Sequence, residues 1–153
     1  MDAQQLARAC ADAMWTEDQA SQAMGMTISE VSPGQATLDM PVRKDMVNGH
    51  NICHGGFIFT LADSAFAFAC NSENHNTVAA GARIEFLAPG KLGDRLTAVA
   101  DRTGGSDEQL RWRIFVSSAH RSRGSSPPLC VVRVSPPTLI GRLLSPPGSA
   151  TLQ

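Results

Sequence analysis

The run Gly55-Gly56-Phe57-Ile58-Phe59-Thr60-Leu61-Ala62-Asp63-Ser64-Ala65-Phe66-Ala67-Phe68-Ala69-Cys70-Asn71 decides how this chain is read. Its length and alanine content predict a helix of about four to five turns. It is apolar almost all round, which predicts a buried central helix rather than a surface one. The exceptions are Thr60, Asp63, Ser64 and Asn71. Helical periodicity puts all four on one stripe. Such a stripe must face a cavity, a partner or satisfied hydrogen bonds.

Elements on either side of the run predict what covers it. Residues 2–24 lack Pro and Gly and read as helix, with a capping-box restart at Thr16-Glu17-Asp18-Gln19 and a stop at Gly25. Thr27–Ser32 and Gln35–Val42 read as two strands joined by the turn pair Pro33-Gly34. Residues 43–53 form a polar loop. Thr77–Leu87, Arg95–Asp101, Leu110–Ser118 and Leu129–Val134 read as further strands. The order predicts an α+β fold, one antiparallel sheet wrapped around one long helix. A helix this apolar needs more cover than one small sheet, so a second copy of the chain is expected on its open side.

The chain has 153 residues, enough for one core. Residues 1–144 form one expected domain, and residues 145–153 a disordered tail. From about Asp101 the composition changes: seven of the 13 basic residues, all arginine, and six of the nine prolines fall in residues 101–153. The net charge of -1 gives no support for a nucleic-acid or anionic-membrane surface. No apolar run is long enough to span a bilayer, and Met1–Gln5 is not a signal-peptide start, so a cytoplasmic protein is expected. Cys10, Cys53, Cys70 and Cys130 form no C-x-x-C pair and read as reduced structural thiols.

The residues suited to chemistry lie where the loop meets the helix. Asn48-Gly49-His50-Asn51-Ile52-Cys53-His54 leads directly into Gly55-Gly56. A helix start presents free N–H groups to an anion or a developing oxyanion, and glycines let a carbonyl approach the main chain. Asp63 lies about 12 Å along the axis from Gly55, too far to grip one small group from the same chain. Two copies packed antiparallel through this helix would bring Gly55 of one beside Asp63 of the other. Other readings stay open: a glycine pair that only permits a tight turn, a His54 that only caps, an Asp63 in a structural ion pair. His50, Cys53 and His54 lack a fourth ligand of suitable spacing, so no metal is expected.

These residues carry a resemblance. Asn48-Gly49-His50, Cys53-His54-Gly55-Gly56 and Leu61–Asn71, followed by Ile84-Glu85-Phe86-Leu87-Ala88-Pro89-Gly90 and Gly93-Asp94, resemble the hotdog-fold acyl-CoA thioesterases of the phenylacetate-degradation (PaaI) type. The likeness covers roughly residues 20–100 and fades beyond about Asp101. It implies a hotdog fold, dimers pairing into tetramers, and hydrolysis of a coenzyme A thioester, phenylacetyl- or hydroxyphenylacetyl-CoA, with neither cofactor nor metal. It implies Asp63 as nucleophile or general base, Gly55 as oxyanion donor, and Asn48 and His54 as the groups that orient thioester and water. Gly56, Thr60 and Ser64 are the further expected substrate contacts. A hotdog hydratase or dehydratase, and a non-catalytic or inactive acyl-CoA-binding variant, are the alternatives.

Overall fold

The computed structural model describes residues 1–104, 112–118, 128–134 and 138–144. Helix α1 (Ala3–Glu17) starts at an Asp2 capping box with Gln5. Helix α2 (Gln19–Ala23) restarts at Asp18, whose carboxylate accepts the Ser21 N–H. The restart expected at Thr16 therefore falls two residues later. The Thr16 hydroxyl donates back to the Asp12 carbonyl and stays part of α1.

Strands β1 (Thr27–Ser32) and β2 (Gln35–Pro41) form the expected hairpin. Gly34 makes its turn at φ +75°, a conformation that side chains with a Cβ resist. A short 3-10 turn (Lys44–Met46) leads into α3 (Gly55–Cys70), which Asn71 closes. Strands β4 (Ala82–Phe86), β5 (Arg95–Arg102), β6 (Trp112–Ser118) and β7 (Cys130–Val134) complete a six-stranded antiparallel sheet in the order β1-β2-β5-β6-β7-β4.

The strand expected over Thr77–Leu87 is two strands. β3 (Asn76–Val78) ends at Ala79-Ala80-Gly81, residues of poor strand propensity, and β4 begins after them. The halves then serve different sheets. β4 pairs with β7, and β3 pairs with β8 (Thr138–Gly141), a strand not anticipated between the prolines of that region. The β6 strand expected from Leu110 is described from Trp112 onward, and the expected tail 145–153 lies outside the described residues.

Helix α3 lies across β2 and β5. Alternate residues face it: Ala36, Leu38 and Met40, then Leu96, Ala98 and Ala100, then Trp112, Ile114 and Val116, all buried. The alanines let the helix backbone approach, while Phe66 and Phe68 fill the depth between them. Phe66 stands edge-on to Trp112 with centroids 5.7 Å apart. The other face of β2 is drier than its alternation suggests. Asp39 is buried there, bonded to Ser29 and Thr97 and paired with Arg95 at 3.1 Å.

Candidate active site

The four polar residues of α3 have separate fates. Asn71 is buried, and its amide bonds the Ala67 and Thr77 carbonyls and the Thr77 N–H. The Ser64 hydroxyl meets Ser21 of α2 at 2.9 Å. Thr60 donates to the Gly56 carbonyl one turn back. Asp63 has no such partner among the described residues and stands exposed, with Gly56 exposed on the same face. The helix is thus not sealed within one chain. Its open face carries Gly56, Thr60, Asp63 and Ala67.

Asp63 reaches solvent, yet the protein around it withdraws enough water to push its carboxyl above the usual aspartate range. A carboxyl held there is closer to a useful base than a fully hydrated one.

The helix start is arranged by the loop. Nδ1 of His54 accepts the Gly56 N–H at 3.0 Å, and the His54 carbonyl accepts the Phe57 N–H. A ring nitrogen that accepts must carry no proton, so the imidazole's proton sits on Nε2 and is available as a donor. Gly56's N–H is thereby engaged. The Gly55 N–H has no partner among the described residues. Asn48 Oδ1 accepts the His50 N–H at 2.9 Å and holds the turn that delivers His54, leaving its Nδ2 donor unengaged among them too.

A cavity of about 510 Å³ opens beside Gly55, walled by Asn48, Ile52, Cys53, Ile58 and Phe86–Pro89. Phe86 is a wall residue that the loop–helix motif does not point to. A Cβ on Gly55 would lie 2.9 Å from its Cζ, so the aromatic ring is the neighbour that demands glycine here. Only the distant β4 could reveal that contact. Cys53 is a buried wall residue whose thiol is pushed up to about 11, first by burial and then by Asp94. A thiol this protonated is a poor nucleophile. His50, Cys53 and His54 do not converge: among the described residues no three His, Cys, Asp or Glu side chains could hold a metal ion.

The thioesterase superfamily pattern matches residues 50–123, which include His54, Gly55 and Asp63. The acyl-coenzyme A thioesterase PaaI of Escherichia coli is 40% identical over 127 residues, spanning 75% of this chain and 91% of the relative. The chain belongs to the PaaI-type hotdog thioesterases. A solved structure of the E. coli PaaI protein from the phenylacetic acid degradation operon superposes with a TM-score of 0.84 at 34% identity, covering 92% of this thioesterase and 98% of that chain. The phenylacetic acid degradation protein PaaI of Thermus thermophilus gives a TM-score of 0.68 at 30% identity, over 76% and 96%. The likeness to the E. coli structure extends beyond the residues 20–100 that carry the resemblance in sequence.

Proposed function

We propose that this protein hydrolyses an aryl-acetyl-CoA, phenylacetyl- or hydroxyphenylacetyl-CoA, to free acid and coenzyme A at a site shared by two copies of the chain in a homodimer or homotetramer. One observation carries the reading. The same helix bears at its start a Gly55 N–H unengaged among the described residues, and an exposed Asp63 eight residues later, on its open face. Within one chain they are about 12 Å apart along the axis. Antiparallel packing of two such faces makes them neighbours, twice per dimer.

The thioester carbonyl then sits at Gly55 of one copy, with Asp63 of the other beside its carbon. Asp63 either attacks that carbon directly or takes a proton from a water that attacks it. A C–O bond forms, and negative charge moves to the carbonyl oxygen at the Gly55 N–H. One such donor is typically worth about 3 kcal/mol in the transition state. Collapse breaks the C–S bond, and the thiolate of coenzyme A leaves, taking up a proton. If Asp63 has attacked, water releases the acid in a second step. His54 Nε2–H and Asn48 Nδ2 orient the thioester and water. Gly56, exposed and without a side chain, leaves room for the substrate, and Thr60 lines its path, while the Ser64 hydroxyl is taken up by Ser21.

The test is free-thiol release from phenylacetyl-, hydroxyphenylacetyl-, benzoyl- and straight-chain acyl-CoA. Turnover by the wild type, abolished in Asp63→Asn while the oligomer persists, is the expected result. Retained activity in Asp63→Asn removes Asp63 from the mechanism, and a fully active monomer removes the shared site.

A further inference from the structure

A second cavity, of about 530 Å³, lies at the other end of the open face of α3. Its floor is Ala67, one helical turn past Asp63 on the same face and about 6 Å further along the axis. Its apolar walls come from three separate elements: Met14 of α1, Val78 of β3 and Leu143, which follows β8. Among the described residues no lysine or arginine lines it, whereas Glu17 and Asp18 do. That charge repels the phosphates of coenzyme A and leaves an uncharged acyl group as the suitable occupant.

Leu143 belongs to the part of the chain in which the resemblance had faded. Its neighbours on both sides are tied to the body of the fold. β8 pairs with β3, and Leu144 exchanges two hydrogen bonds with Asn74, its N–H donating to Oδ1 at 2.7 Å and its carbonyl accepting from Nδ2 at 3.3 Å. The C-terminal segment therefore returns to the end of the catalytic helix and closes one side of the cavity.

We propose that Thr138–Leu144 is the outer wall of the acyl pocket, and that Leu143 is a specificity-determining residue that sets the size of acyl group accepted. The inference rests on the thioesterase reading, with the reacting carbonyl at Asp63. A carbonyl held there directs its substituent along α3 into this cavity. Apolar pockets discriminate by a methylene or a ring at roughly 10–200-fold.

The test compares kcat/KM for phenylacetyl-CoA with that for acetyl-CoA, in the full-length oligomer. Leu143→Trp fills the cavity and should lower the ratio about tenfold or more, because acetyl does not reach the wall. Leu143→Ala should move the preference toward bulkier aryl groups. Asn74→Ala, which frees Leu144, should act in the same direction as Leu143→Ala and keeps the test open if the tryptophan variant does not fold. An unchanged ratio in folded variants that still release thiol overturns the inference and leaves the thioesterase reading standing. No thiol release by the wild type from any ester refutes that reading instead, and the pocket assignment with it.

Discussion

Replacing Gly55 with alanine tests the start of α3 without removing the N–H that is proposed to hold the oxyanion. The added Cβ would lie 2.9 Å from Cζ and 3.1 Å from Cε1 of Phe86, both well inside van der Waals contact. The ring must retreat by roughly half an ångström or more to restore ordinary separation. Phe86 is 54% exposed on an edge strand, so it has somewhere to go. The stability cost should therefore sit at the low end of the overpacking range, about 1 kcal/mol, or roughly 2–4 °C in Tm. The effect on turnover should be larger. The displaced ring walls the cavity beside Gly55, and loss of a full oxyanion donor costs about 100–1,000-fold, so a disturbed one should cost at least about tenfold in kcat. A double-mutant cycle isolates the contact. In a Phe86→Ala background the Cβ meets nothing from that ring, and the further cost of Gly55→Ala in Tm should largely vanish. The assay is thermal unfolding plus thiol release on all four proteins. Purely additive Tm losses would refute the claim that Phe86 is what demands glycine at position 55.

Asp63 gives two pH signatures. Its carboxyl is raised because the surrounding protein withdraws water from it, and the reaction needs it ionised, so kcat/KM should fall on the acid side with a midpoint above the ordinary aspartate value of about 4. For stability, a raised carboxyl favours the fold below the unfolded-state pKa and loses that contribution as pH rises through the folded-state pKa. Asp63→Asn should thus have a higher Tm than the wild type at neutral pH, and the advantage should disappear near pH 4 and below. Asp39 has the opposite sign. Burial pushes its carboxyl up, but bonds from Ser29, Thr97 and Arg95 together outweigh it and hold it low. Its contribution is present above the unfolded-state pKa and lost as pH falls through the folded one. Asp39→Asn should destabilise by about 1–3 kcal/mol at neutral pH, read by urea unfolding, and less in strong acid. Cys53, Cys70 and Cys130 are buried, with thiols pushed up to about 11 chiefly by burial, so iodoacetamide should label them in the native protein far more slowly than in the unfolded one.

What the sequence reveals here follows from how local each cause is. The alternation of Trp112, Ile114 and Val116, and that of Ala36, Leu38 and Met40, needs only a period of two and a buried face, and both strands appear where it places them. Helix α3 is as local, since its length and composition are written in one unbroken run. The break at 79–81 is weaker in sequence, because Ala79-Ala80-Gly81 lowers strand propensity without forbidding a strand. It becomes decisive only when β7 and β8 compete for the two halves. The site divides in the same way. His54 and Gly55 are adjacent, and the capping bond to Gly56 spans two residues, so that end of the site is legible. Ser64 lies on the expected stripe, but what meets it is Ser21, 43 residues away. Phe86 reaches Gly55 across 31 residues, and Leu143 lines the same cavity as Ala67 from 76 residues away. Those distances separate catalytic machinery from selectivity. The groups proposed to react come from one loop and one helix, so their spacing survives in a linear motif. The walls proposed to choose the acyl group come from α1, β3 and the segment after β8, so they can change without disturbing that motif. Chains that share the Asn48, His54, Gly55 and Asp63 pattern but differ after residue 101 should therefore keep the reaction and differ in substrate.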